Sequence, residues 1–90
     1  MSTTATLSNV TGVDSSTTIL AGNSARVWAT IWNNSTAVLY IKLGGGTASA
    51  TSCTKKLIAD EFYEIPTWFV WPITGIWAAV NGAARITELS

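Results

Sequence analysis

From Ala25 onward the chain alternates. Ala25, Val27, Ala29 and Ile31 are small or aliphatic, and Arg26, Trp28, Thr30 and Trp32 lie between them. After Asn33-Asn34-Ser35-Thr36 the pattern resumes, with Ala37, Leu39, Ile41 and Leu43 set against Val38, Tyr40 and Lys42. Period two is the mark of strands with one face on a core, and the β-branched and aromatic content favours a pleated surface. Two such runs around four turn-forming residues predict a β-hairpin. Its odd aliphatic positions would fill the core. Trp28, Trp32, Val38 and Tyr40 would point the other way, beside Arg26 and Lys42.

The remainder of the chain carries the same period in shorter pieces. Ser16–Leu20 predicts a strand ended by Ala21-Gly22-Asn23, and Lys55–Ile58 and Glu61–Ile65 predict two more around a turn at Ala59-Asp60. Pro66 closes that segment and Pro72 interrupts the next, because proline cannot donate to a sheet ladder. Ile76–Val80 and Ala83–Leu89 flank Asn81-Gly82, a pair suited to the positive φ angles of a type I′ hairpin turn. Gly44-Gly45-Gly46 and the small residues of 47–52 read as a flexible or tightly turning connection with no side chain large enough to pack. No segment sustains a helical period. The expected architecture is all-β, a small antiparallel β-sandwich or barrel of six or seven short strands over residues 16–90. Residues 1–15, rich in Ser and Thr, are expected to form an N-terminal arm that is flexible or docked on a neighbour.

Composition narrows the chemistry. The 90 residues hold five Lys or Arg, five Asp or Glu and no His. That balance lacks the positive excess that phosphate binding demands, although aromatics on a sheet could stack bases. No apolar run reaches the length of a membrane helix, and the first residues lack the basic and apolar regions of a secretory signal. The expectation is therefore no nucleic acid, no membrane and synthesis in the cytoplasm. Cys53 is the single cysteine, so neither an internal disulfide nor a metal site can be built on it alone. Asp60, Glu61 and Glu64 lack the spacing of a calcium loop and read as a solvated turn. Gly44-Gly45-Gly46 is not followed by the Gly-Lys-Ser/Thr of a phosphate loop. Neither a base, an activated nucleophile nor a cofactor site emerges, and an enzyme is not expected.

What remains is aromatic. Trp28, Trp32, Trp68, Trp71 and Trp77 are unusually many for 90 residues, and each can bury about 150–250 Å². A face carrying Trp28, Trp32 and Tyr40 would form an apolar patch of the kind that marks an interface. Residues 68–71 and the N-terminal arm could instead cover it. Trp77, inside the last predicted hairpin, is a candidate for the core. Carbohydrate binding is a second possibility, because indole faces stack on sugar rings without needing net charge.

Three stretches taken together resemble small accessory virion proteins of tailed bacteriophages. They are Arg26-Val27-Trp28-Ala29-Thr30-Ile31-Trp32-Asn33-Asn34-Ser35, then Leu39-Tyr40-Ile41-Lys42-Leu43-Gly44, and Gly75-Ile76-Trp77-Ala78-Ala79-Val80 with Ala83-Ala84-Arg85-Ile86-Thr87-Glu88-Leu89. The likeness runs from about Ser16 to Leu89, and its motifs are structural. It implies a capsid decoration (cement) protein on the outer surface of the virion head, binding the major capsid protein as a homo-oligomer. Proteins of this kind also occupy head–tail junctions and head fibres, and this chain lacks the repeats of a long fibre. The expected protein-interface anchors are Trp28, Trp32, Tyr40, Trp68 and Trp71. The alternative is a carbohydrate-binding or head–tail or tail accessory module of the particle.

Overall fold

The computed structural model describes residues 4–90, and they form eight strands: β1 (Ala5–Thr11), β2 (Thr17–Leu20), β3 (Trp28–Asn34), β4 (Leu39–Leu43), β5 (Lys55–Leu57), β6 (Phe62–Ile65), β7 (Ile73–Trp77) and β8 (Ala83–Leu89). Two four-stranded antiparallel sheets result. The front sheet has the order β1-β8-β3-β6 and the back sheet the order β2-β7-β4-β5. Ile31, Ile65, Ala84 and Ile86 from the front and Ile19, Leu39, Ile41, Leu57, Ile73 and Trp77 from the back share one buried core. The fold is an all-β sandwich, of eight strands where six or seven were expected.

The pairing has a simple logic. β1 pairs with β8, β2 with β7, β3 with β6 and β4 with β5. This is one long antiparallel ribbon folded at residues 44–54, then rolled so that β8 also meets β3 and β7 also meets β4. Such a rolled ribbon is an eight-stranded jelly roll.

That topology corrects both hairpins expected from sequence. β3 and β4 lie in opposite sheets, as do β7 and β8. Alternation tells which residues face a core, and it is blind to which strand sits alongside. The Asn81-Gly82 turn is accordingly not type I′, for only Gly82 of the two has positive φ (56°). Asn81 instead turns its side-chain oxygen to the Thr36 amide, 2.8 Å away, tying one crossover to another. Ala59-Asp60 likewise links strands of different sheets, with Asp60 at φ 64°.

Other expectations shift for similar reasons. Ala29 and Ile31 are inside as the alternation requires, but Val27 is 46% exposed while Arg26 is buried. The strand begins only at Trp28, and residues 23–26 are a turn closed by the Arg26 amide on the Asn23 carbonyl (3.0 Å). Residues 5–11, grouped with the rest of 1–15 as an arm, form β1 and pair along their whole length with β8. Met1–Thr3 lie outside the described residues. The 44–54 connection also packs. Gly44 (φ 103°) donates to the Pro72 carbonyl at 2.9 Å, and the following residues fold back over the back sheet. There Thr74 donates to the Gly46 carbonyl (2.6 Å), the Ala48 amide donates to Ser16 (2.9 Å), and Ala48 is buried despite its small side chain.

The crossovers at one end of the sandwich converge on Asn33, which is fully buried. Its amide nitrogen donates to the carbonyls of Ala37 (2.9 Å), Leu57 (3.0 Å) and Ile58 (3.1 Å). Its oxygen accepts from the Trp77 indole (3.2 Å) and the Ser35 hydroxyl (2.7 Å). One carboxamide thus satisfies backbone from the β3–β4 and β5–β6 links and the largest core side chain. Unpaired, these buried groups would be costly. Replacing Asn33 with Ala is predicted to lower unfolding stability by about 2–4 kcal/mol. Asn33→Asp should cost more, because a carboxylate would face three carbonyl oxygens; urea denaturation of both variants checks the order.

Candidate functional site

The front sheet turns alternate residues outward, and register fixes which ones. Trp32 lies between Arg85 on β8 and Phe62 on β6, and Thr30 between Thr87 and Glu64. Leu7 and Asn9 of β1 extend the same two rows beyond β8. Trp28 heads the strand opposite Leu89. The outer face therefore carries two indoles, a phenyl ring and two leucines, with Arg85 and Glu64 among them.

These side chains are held in place. The Trp32 and Phe62 rings stack with centroids 5.7 Å apart and planes 10° from parallel. Trp28 donates its indole N–H to the Glu64 carboxylate at 2.8 Å, which stretches the indole across the sheet. Arg85 donates through Nη1 to the Asn9 oxygen (2.8 Å), and Asn34, with its carboxamide assigned oxygen-first toward the guanidinium by the hydrogen-bonding pattern, accepts from Nε (3.0 Å) and Nη2 (3.2 Å). Both partners are neutral amides, so the guanidinium is positioned without being neutralised. Phe62 is 63% exposed and Leu7 78%. Trp28 and Trp32 are half-buried, so the face is ordered and apolar, and it is open at Phe62 and Leu7.

The outer face of the back sheet is partly roofed. Its outer residues Tyr40, Lys42, Ile76 and Thr74 lie on the side roofed by residues 46–52, and Lys42 is drawn to Ser52 at 2.6 Å. A groove of about 390 Å³ remains beside the roof, lined by Asp14, Tyr40, Ala50, Ile76, Trp77 and Ala78. Tyr40 is there, on the face opposite to Trp28 and Trp32. The expected single face bearing all three does not form, since β3 and β4 belong to different sheets.

Trp68 and Trp71 form a third location, the β6–β7 loop at one end of the sandwich. Trp68 is 70% exposed and Trp71 56%, while Phe69 between them is buried and packs edge-on to both indoles. Pro66 follows β6 immediately abreast of Trp28, so the loop departs from the Trp28 end of the front face. Neither this loop nor the β1 strand covers that face. Of the expected anchors, Trp28 and Trp32 share a surface, Trp68 and Trp71 share a loop, and Tyr40 stands apart. Phe62 and Leu7, not singled out from sequence, complete the front face. Only cross-strand register brings Phe62 beside Trp32 and sets Leu7 opposite Thr87.

Arg26 fixes the loop. Its guanidinium donates to the Glu88 carboxylate (2.7 Å), to the carbonyls of Phe69 (3.0 Å) and Trp71 (3.2 Å), and to that of Ala21 (2.5 Å). The side chain is nearly inaccessible, with Glu88 also largely buried. Sequence reading placed Arg26 outside with Trp28; it is inside because it alone can serve four acceptors from three segments.

Of the three clustered acids, Asp60 is exposed in its turn, and the two glutamates have structural partners. Glu61 accepts from the Ile58 amide (3.0 Å) and pairs with Lys55 (3.5 Å), and Glu64 holds Trp28. Among the described residues no three His, Cys, Asp or Glu side chains are grouped to hold a metal ion.

The class these features define is a small jelly roll with one roofed face, one open aromatic face and an indole-bearing loop at one end. The chain matches no protein-family model, no curated protein and no solved structure.

Arg26→Met would strand the Glu88 carboxylate and three carbonyls, and a loss of about 3–5 kcal/mol is expected. Limited proteolysis should then cut residues 66–72 faster than in the parent protein, and acrylamide should quench the tryptophans more efficiently.

Proposed function

We propose that the protein is a non-enzymatic structural protein of a bacteriophage particle, a decoration protein that attaches to the outside of the head shell. The observation that carries this reading is the asymmetry of the sandwich. One outer face is partly roofed by the chain's own loop; the other keeps Phe62 and Leu7 exposed, with Trp32 stacked on Phe62 and Trp28 beside it half-buried. Aromatic residues dominate interface energetics when buried at the centre of a contact, and a single pinned guanidinium supplies orientation. Jelly rolls serve both as capsid and as lectin domains, so the fold by itself does not choose a function. The choice rests on the open face and on the resemblance of the strand motifs to phage accessory proteins.

Decoration would act by mass action. A protein that binds only the assembled shell stabilises it by RT ln(1 + [L]/Kd), about 2.7 kcal/mol per site at a hundredfold excess over Kd. Repeated over a symmetric head, the effect accumulates. The partner is the major capsid protein, the location is the outer surface of the virion, and synthesis is in the host cytoplasm.

One observation favours a second reading. Trp68 and Trp71 are exposed on a loop that Arg26 holds rigid, and a fixed pair of indoles could receive sugar rings. A glycan array separates the readings: the decoration protein gives no hits, whereas a carbohydrate module gives hits that vanish on Trp68→Ala or Trp71→Ala.

Co-sedimentation with empty heads tests the first reading directly. The parent protein should travel with heads in near-stoichiometric amounts. Trp32→Ala combined with Phe62→Ala should weaken that binding about a hundredfold, as two centrally placed aromatics would. Tyr40→Ala, on the roofed side, should leave it within about threefold. A protein that ignores heads, or a double variant that binds them undiminished, refutes the assignment.

A further inference from the structure

A sheet that ends in an open edge invites pairing, and proteins commonly blunt such edges with short strands, charges, prolines or bulges. Three of the four edges here are treated in that way. β5 is three residues long and carries Lys55 and Lys56. β6 is four residues long, contains Glu64 and is followed by Pro66. β2 is also four residues long and is broken by a register shift between Thr18 and Leu20.

β1 has none of these devices. Its seven residues, Ala-Thr-Leu-Ser-Asn-Val-Thr, contain no charge and no proline, and their register with β8 is unbroken. No strand lies beyond it among the described residues. The backbone groups at this edge can be assigned. Thr4 exchanges both hydrogen bonds with Ser90, and the Gly12 amide donates to Gly82. Even-numbered residues therefore bond to β8, and Ala5, Leu7, Asn9 and Thr11 aim their N–H and C=O groups away from the sheet. The same odd residues put their side chains on the open front face, where Leu7 is the most exposed large apolar residue of the described chain.

We propose that the β1 edge is a self-association site, at which a second copy of this chain adds its own β1 antiparallel to form one continuous eight-stranded front sheet. The occupant is a second copy because a twofold axis beside Ser8 satisfies this edge with itself. Ala5 then faces Thr11 of the partner and Leu7 faces Asn9 of the partner. Every outward donor on one copy meets an outward acceptor on the other, about eight hydrogen bonds in all. The two Leu7 side chains become diagonal neighbours on the front face and shield one another. No charge is buried. The pairing also joins the two Trp32–Phe62 surfaces into one twofold-symmetric face. It requires no capsid and stands whether or not the decoration reading holds.

Sedimentation of the purified protein without heads, over a dilution series, is the test. The parent chain is expected to be a dimer. Leu7→Pro removes an N–H that points to the free edge and breaks no bond to β8, so it should yield folded monomer. Leu7→Lys and Leu7→Glu should each weaken the dimer about tenfold or more, because like charges meet diagonally. An equimolar mixture of those two variants should recover dimer, since opposite charges then meet. A parent protein that is monomeric throughout overturns the proposal. So does a dimer indifferent to all three Leu7 changes, or one dissolved by Trp32→Ala with Phe62→Ala but not by Leu7→Pro, which would mean face-to-face packing.

Discussion

The carboxamide of Asn33 is the interaction on which the rest of this molecule depends. A rolled ribbon sends the chain from one sheet to the other at almost every connection, and each crossing leaves backbone groups at the end of the core where no ladder partner exists. Asn33 gathers three such carbonyls with its amide nitrogen and uses its oxygen to fix Ser35 and the Trp77 indole. The largest core side chain is thereby oriented by the same group that closes the crossovers. A hydrophobic residue there would fill the volume but leave the carbonyls and the indole N–H unpaired, a heavier cost than the packing it would add.

Arg26 performs the equivalent task at the opposite end, with Glu88 as its counter-ion and the 66–72 loop as its load. The two polar groups differ in what they hold. Asn33 locks the core, whereas Arg26 locks an exposed element, and for that reason two indoles can stand at the surface in a defined arrangement. A small sandwich has few residues with which to shape a recognition surface. Buried polar fastening lets it carry exposed aromatics on a loop without surrendering their geometry.

The distribution of closed and open surfaces follows from where the long connection falls. The ribbon's fold is the 44–54 segment between β4 and β5, and it roofs the back sheet with Ala48 and its neighbours. Among the described residues the front sheet has no comparable segment. Its outer face keeps Trp28, Trp32 and Phe62, and its β1 edge keeps four unpaired donors and acceptors. Face and edge meet at Leu7, so association along the edge and recognition through the face would build on one continuous surface.

Much of this was legible in the residues alone, and the limit of legibility is physical. Period-two alternation in 28–34 and 39–43 marked the strands and the inward residues Ala29, Ile31, Leu39 and Ile41, because pleating alone sets which side a residue faces. The dearth of charge and the five tryptophans marked a chain rich in apolar contact area, but not which indoles stand at the surface: Trp77 is in the core, while Trp68 and Trp71 are exposed. Partnership between strands is a non-local quantity that no spacing encodes. So the two hairpins read from 25–43 and 76–89 are crossovers, Tyr40 is parted from Trp28 and Trp32, and Phe62 arrives beside Trp32 from thirty residues away. Arg26 and Asn33 show the same divide. As residues they are an ordinary surface cation and a turn former; only the folded chain surrounds them with carbonyls that have no other donor, and that demand draws both inside.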